Sequence, residues 1–397
     1  MSAYLDHAAT TPLRPEAREA WIEASALVGN ASSVHGAGQR ARRALEDARE
    51  RIARALGCEP IEVVLTSGGT ESVNLALKGL WWARAEGRDV IVLPDGEHHA
   101  VLDTVDWLRR VEGAEVAPVP IDDRARIDPA AFARVAADPR VALATALVAN
   151  NETGTVQDAP ALSAGAAEAG VPLHLDAVAA LGHLPVDFRA WRGSVDGARG
   201  LVALSVSGHK VGAPVGTGAL VVSRAAAPHA LLHGGGQQRA LRSGTQDVAG
   251  AAALAVAVEL AERERETETI RMERLRARVV GRLRTELPEA VVLGDEEHQL
   301  PSTLHLLLPG AAGESMLFLL DQVGIAVSTG SACQAGVSEP SHVVLATGRT
   351  EQEARQVLRI SFGRTSVEAD AEAIATALPA AYRRLVARSG PSSGGRS

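Results

Sequence analysis

Several short stretches of this chain carry residue types that could do chemistry together. The first is TSGGTES, Thr66 to Ser72, which closes an apolar run and opens the helical pattern NLALKGLWWARA. Gly68 and Gly69 let the backbone come close to an anion, and the amides at the helix start and the Thr70 hydroxyl can donate to it. Taken alone, such a turn is more often only a tight strand-to-helix connection. The second is HLDAV, with Asp176 near the end of an apolar strand. A carboxylate there is costly to bury unless something cationic meets it, such as a protonated ring nitrogen; the alternative is an exposed strand-end Asp. The third is SVSGHK, Ser205 to Lys210, followed by the turn VGAPVGTG. A lysine in a crowded site has its ammonium form disfavoured and becomes an amine nucleophile for a Schiff base, whereas a lone strand-end lysine is usually solvated. The fourth is TGSACQAG, where Cys333 sits among small residues, a composition suited to a mobile loop. A thiolate there is a candidate nucleophile. The other cysteine, Cys58, follows a helix ending at Gly57 and reads as a buried, inert thiol.

Each stretch has an ordinary alternative, but the combination is specific. A phosphate cradle, a carboxylate for a ring nitrogen and a lysine for an aldehyde are what pyridoxal phosphate requires.

The elements that must position these groups follow from hydrophobic patterning. Short β-rich runs begin at Ile61, Asp89, Val141, Val171, Leu201 and Gly218, separated by helical patterns. Such alternation implies an α/β fold, with a mostly parallel central sheet covered by helices on both faces. In these sheets ligands sit at the carboxyl ends of the strands, where nearly every unusual cluster falls. From about Thr245 to Leu287 a long charged helical stretch leads into VVLG, STLHLLLPG, a helix near Glu314 to Val323, IAVST, VLRISFG and a final helix from about Glu368. This predicts a smaller α+β domain. The expected division is 15–260 for the large domain and 1–14 with 261–388 for the small one, with 389–397 a disordered tail.

Composition limits the function classes. The 397 residues suit a large domain plus a smaller one, and with only 3% aromatic residues the interior must be filled by Ala, Val and Leu. A net charge of −8 disfavours nucleic acid and anionic membrane as partners. The Arg-dense stretch Arg40 to Arg54 is interleaved with Glu46, Asp47 and Glu50 and reads as a solvated helix face. Two cysteines cannot build a disulfide framework, and the start MSAYLDHAATTP has no signal-peptide pattern, so a cytoplasmic location is expected. No run reaches the length of a membrane span.

The sequence closely resembles the cysteine desulfurases of the NifS and IscS type, in the class V aminotransferase group of fold type I pyridoxal-phosphate enzymes. The matching stretches run in one order from Tyr4 to Arg364: YLDHAATTPLRPEA, GNASSVHGAG, TSGGTESVNLALKG, EHHAVLDT, NNETGTVQ, HLDAV, SGHKVGAP, GGGQQRALRSGT, TGSACQAGVSEPSHVVLATG and LRISFGR. The resemblance implies that Lys210 carries pyridoxal phosphate and that Asp176 keeps its ring nitrogen protonated. His98 would stack on the ring. Gly69, Thr70, Ser207 and His209 would hold the phosphate, with Thr245 reaching it from the partner of a homodimer. Asn151 would touch both cofactor and substrate, and Arg359 would bind the α-carboxylate of L-cysteine, a role that suits its planar fork. Without the resemblance, a surface ion pair would be the preferred reading of that arginine. Cys333 would attack the substrate sulfur, leaving alanine and a persulfide for a protein acceptor, an iron-sulfur scaffold or a sulfur carrier. His99 reads as structural, and no metal site is expected.

The pattern also breaks. Three positions after the cofactor aspartate, where the family usually has Gln, stands Ala179, so a donor to the cofactor's phenolate oxygen is missing unless water or Asn151 replaces it. Ala31, Ala213 and Gln238 are smaller departures. The rival readings are another class V reaction, such as selenocysteine cleavage or transamination, and a non-catalytic binding partner that keeps the fold. A nicotinamide dehydrogenase is set aside because no GxGxxG follows the first strand.

Overall fold

The structure, a computed structural model, describes residues 2–389 apart from residues 331–332 and 335–336. The chain opens with β1 (Ala3–Tyr4), α1 (Pro15–Ser25) and α2 (Gly36–Ala55). Strands and helices then alternate: β2 (Val63–Thr66), α3 (Gly69–Trp82), β3 (Val90–Pro94), α4 (His99–Glu112), β4 (Glu115–Val119), α5 (Pro129–Ala136), β5 (Val141–Leu147), α6 (Ala159–Glu168), β6 (Pro172–Asp176), α7 (Phe188–Arg192), β7 (Gly200–Ser207) and β8 (Gly218–Val222). The long α8 (Val248–Glu286) leads to β9 (Val291–Leu293), β10 (Thr303–Leu307), α9 (Gly313–Asp321), β11 (Ile325–Ala326), β12 (Cys333–Gln334) and β13 (Val337–Ser338). After these come α10 (His342–Ala346), α11 (Glu351–Ala354), β14 (Val357–Ser361) and α12 (Glu368–Ser389).

A seven-stranded sheet in the order β2-β8-β7-β6-β5-β3-β4 forms the centre. Only β8 runs against its neighbours, so β2 to β7 all end on one edge. Every residue of β5 and β7 is buried, as expected of strands covered on both faces and rich in Val, Leu and Ala. The expected mostly parallel α/β sheet is therefore present. The sequence reading missed β4, EVAPV, whose half-exposed residues and Pro118 suit the edge position it occupies.

Two cores meet along α8. Its first part, Ala251 to Ala261, packs into the large core beneath the sheet. Its later residues Met272, Leu275, Val279 and Leu283 join a second core with Leu5, β10, α9, β14 and α12. The change of core falls between Ala261 and Met272 on α8 and between Leu5 and Ala17 near the chain's start, and we propose that the two domains divide at these crossings. Arg14, nearly buried, fixes that crossing by a 2.7 Å ion pair to Glu264 on α8.

Two local expectations need correction. The Arg40 to Arg54 helix is not simply a solvated face: Arg49 is buried and bonds to the Val63 carbonyl and to Gln238, and Arg51 pairs with Glu259 of α8 at 2.5 Å. These arginines hold α2 against the sheet and α8. At the other end, Ser389 belongs to α12, and the rest of the expected disordered tail lies outside the described residues. Among the described residues, no helix is long and apolar enough to cross a membrane.

Candidate active site

The sheet edge where β2 to β7 end forms one wall of a cavity of about 440 Å³; the opposite wall comes from the small core. It gathers nine of the residues singled out from sequence: Gly69, Thr70, His98, Asn151, Asp176, Ser207, His209, Lys210 and Arg359. Thr245 is exposed and does not line the cavity of its own chain. The thiol of Cys333, and the swing expected of its loop, lie outside the described residues; the backbone there pairs Cys333 with Ser338 between β12 and β13.

On the sheet wall, each group sits where a strand stops. Asp176 ends β6, and its Oδ1 accepts the Val178 amide at 2.9 Å. Burial pushes this carboxyl up to about 6, although the Val178 amide and Lys210 pull it down. A cation placed directly against it would keep it ionised. Lys210 follows β7, and its Nζ donates to the carbonyls of Ala8 and, at 2.9 Å, Ala9. Burial, then the charge of Arg359, brings its ammonium down to about 8, with Asp6 and Asp176 opposing. The amine is therefore available near neutral pH. Both imidazoles beside it are neutral: His98 and His209 are each lowered to about 4, first by burial and then by Lys210. His98 also caps α4, its Nδ1 accepting the Ala100 amide at 3.0 Å, so its remaining proton is on Nε2.

The space above Ser207 is a cradle that favours glycine, by backbone conformation at Gly68 and by close approach at Gly69. Gly68, at φ +148°, stands at the N-cap of α3, and a Cβ on Gly69 would come within 2.8 Å of Val178 Cγ2. The amides at the start of α3, the Thr70 and Ser207 hydroxyls and His209 form an anion-binding donor set. A phosphate there, a cationic ring nitrogen at Asp176 and an aldehyde at Lys210 fit the residues present, so the site suits pyridoxal phosphate.

On the other wall, Arg359 of β14 is 4% exposed. Its Nη1 donates to the Asn151 carbonyl and its Nη2 to Asp6 Oδ1, both at 2.9 Å. The surface ion pair that sequence patterning alone favoured for this arginine is thus replaced by a buried one facing the cavity. Asn151 follows β5, and beside it the Glu152 carboxylate accepts the Ser341 hydroxyl at 2.5 Å, fixing the chain just after the Cys333 segment. His99 stands edge-on to His342 with ring centroids 4.8 Å apart, in keeping with a structural role. Among the described residues no group of side chains could hold a metal. Cys58 is buried, its thiol pushed up to about 12, chiefly by burial.

Sequence reasoning missed Asp6, Glu97 and Glu152. Glu97 is fully enclosed behind Asp176; burial raises it to about 8, and its Oε1 accepts the Leu147 amide at 2.8 Å. Glu97 and Glu152 lie next to His98 and Asn151, which were noticed, whereas Asp6 lies only within a matching stretch; the roles of all three depend on partners distant in sequence. Gln238, noted as a departure, bonds both main-chain groups of Leu65 and so pins β2.

Known proteins bear on this geometry. The family model for aminotransferase class-V matches residues 3–374. An IscS-like cysteine desulfurase of Mycobacterium tuberculosis is 45% identical over 387 residues, covering 96% of this chain and 96% of the relative. A solved NifS-like protein superposes with a TM-score of 0.87 at 31% identity, covering 96% of this chain and 99% of that one. A solved structure of SspA in complex with cysteine has a TM-score of 0.77 at 30% identity, covering 92% of this chain and all (100%) of that one. With the fold, the cavity and these matches in agreement, the chain belongs to the aminotransferase class-V family.

Proposed function

We propose that this protein is a pyridoxal-phosphate-dependent cysteine desulfurase that converts L-cysteine to L-alanine and passes the sulfur, as a persulfide on Cys333, to a protein acceptor. The observation that carries the reading is the convergence of Asp176, Lys210 and Arg359 on one cavity, since together they match a cationic ring, an aldehyde and an amino-acid carboxylate.

Pyridoxal phosphate, when bound, supplies an electron-withdrawing ring that stabilises negative charge on the carbon bearing the substrate's amino group. Asp176 would keep the ring nitrogen protonated. Gly69, Thr70, Ser207 and His209 hold the phosphate, with the partner subunit's Thr245 completing the cradle in a homodimer; the exposure of Thr245 outside its own cavity supports this. His98 would lie against the ring. Asn151 and Arg359 orient the substrate: a guanidinium has five N–H donors, and the Asn151 carbonyl and Asp6 occupy one on each Nη, leaving donors for a carboxylate. Lys210, whose amine loses its proton near pH 8, moves a proton to and from the substrate carbon. The Cys333 thiolate then attacks the substrate sulfur: an S–S bond forms, the C–S bond breaks, the carbon takes up a proton, and alanine and a persulfide result. The acceptor is an iron-sulfur scaffold or a sulfur carrier, and the location is the cytoplasm.

The test is incubation of the purified protein with L-cysteine and a reductant. Equal amounts of alanine and sulfide are expected; a coloured, folded protein that yields neither would overturn the reading.

A further inference from the structure

Arg359 faces a histidine across the small sheet. The antiparallel register of β10 and β14 sets His305 directly opposite Arg359, and opposed residues of such a ladder project from the same face. The pair is of the closer kind. The Arg359 amide donates to the Ser328 carbonyl at 2.6 Å and its carbonyl accepts the Ser328 amide at 3.1 Å, so both main-chain groups point away from β10. Such a non-hydrogen-bonded pair has Cα atoms about 4.5 Å apart and brings its side chains closest.

His305 is 0% exposed and Arg359 4%. Neither ring nitrogen of His305 has a hydrogen-bond partner among the described residues, and neither has Arg359 Nε. Buried polar atoms left unpaired are costly, and these complement one another: a neutral imidazole has one accepting nitrogen, and a guanidinium can only donate. Burial, then the charge of Arg359, lowers His305 to about 3, so the ring is neutral and its lone pair is available.

We infer that His305 is a positioning residue whose ring accepts a hydrogen bond from Arg359 Nε–H, through one enclosed water or after a small rotation of the two side chains, and thereby sets the guanidinium to meet an amino-acid carboxylate end-on. The inference rests on the carboxylate-binding role proposed above for Arg359. With Nη1 on the Asn151 carbonyl, Nη2 on Asp6 and Nε on His305, one N–H remains on each Nη, a matched pair for the two oxygens of a carboxylate. Without the ring acceptor, Nε–H competes for the carboxylate and the fork can turn.

The test is carboxylate selectivity of the holoenzyme: its affinity for L-alanine divided by that for ethylamine, the same amine without the carboxylate, both read from the visible spectrum of the bound cofactor. His305→Phe keeps a ring of similar size but removes the acceptor, and selectivity is expected to fall about tenfold. His305→Asn loses the ring but keeps an acceptor, and selectivity is expected to stay within about threefold of the wild type. A pure packing role predicts the reverse order, and general loosening moves both ligands together. Unchanged selectivity in folded His305→Phe, or lost selectivity in folded His305→Asn, overturns the inference, and either variant decides without the other. Arg359→Gln separates the two levels. Selectivity lost there but kept in His305→Phe overturns the role of His305 alone; selectivity kept in Arg359→Gln overturns the carboxylate role and this inference with it.

Discussion

The two walls of the cavity solve the problem of buried charge in different ways. On the sheet wall, buried Asp176 and half-buried Lys210 stand at or just after strand ends with no ion pair among the described residues, and loss of water moves both toward neutrality, to about 6 and about 8. On the opposite wall, Arg359 is also buried, but its guanidinium is held by Asp6 and the Asn151 carbonyl. The difference follows from chemistry: a lysine can shed its proton when desolvated, whereas an arginine cannot and must be paired. One wall is therefore poised to exchange protons and the other to hold a fixed charge. This division is what a reaction on an amino acid needs, since the carboxylate must stay still while protons move nearby.

Substitutions on the two walls sharpen that contrast. Lys210→Ala removes the proton-exchanging amine, and kcat is expected to fall by on the order of 10³-fold or more, with the protein still folded; turnover within tenfold of wild type would break the assignment. Arg359→Gln removes the fixed charge, and the expected effect is a rise in KM for L-cysteine of about 10- to 100-fold with a smaller change in kcat. Equal losses in both variants' kcat with KM unchanged would erase the distinction between the walls.

The pH dependence is a further way to separate them. Because Lys210 has its pKa lowered from 10.5 to about 8, the rate at which cofactor-free protein takes up pyridoxal phosphate is expected to rise with pH through about 8 and then level off. Over the same window the unfolded chain still holds a proton that the folded chain has released, so the cofactor-free protein gains stability as pH rises from about 8 toward 10.5. A rate that keeps climbing to pH 10 would mean the lysine is not desolvated. The smallest effect belongs to Ala179, which lines the cavity where a hydrogen-bond donor is usual in the resembling family. Ala179→Gln is expected to move the titration of the cofactor's visible absorbance to lower pH by about one unit or less, the size of one hydrogen bond. An unchanged titration would show that another group already supplies that donor.

The sheet wall was far more legible in the sequence than its opposite. Lys210, Asp176 and Gly69 follow strands whose apolar runs stand out locally, and a strand end in a parallel sheet already predicts a ligand-facing position. Arg359 was different. Its partner Asp6 lies 353 positions away, so patterning alone favoured a surface ion pair, and only the crossing of the chain's start beneath β14 reveals the buried one. His305 gave no signal at all, because a lone histidine in STLHLLLPG acquires meaning only from the register that sets it against Arg359. The edge strand β4 was missed for a related reason: half-exposed, with a proline, it lacks the apolar run of a covered strand. What sequence patterning could not supply was contact between distant segments.

Whether Cys333 carries the sulfur is decided by the mass of the intact protein after brief exposure to L-cysteine without reductant, for wild type and Cys333→Ala. The wild type is expected to gain the mass of one sulfur atom, localised to the peptide containing Cys333, with alanine released in equal amount, and the variant to gain none. Alanine formed at the wild-type rate by Cys333→Ala, or a sulfur adduct found on Cys58 instead, would contradict that role.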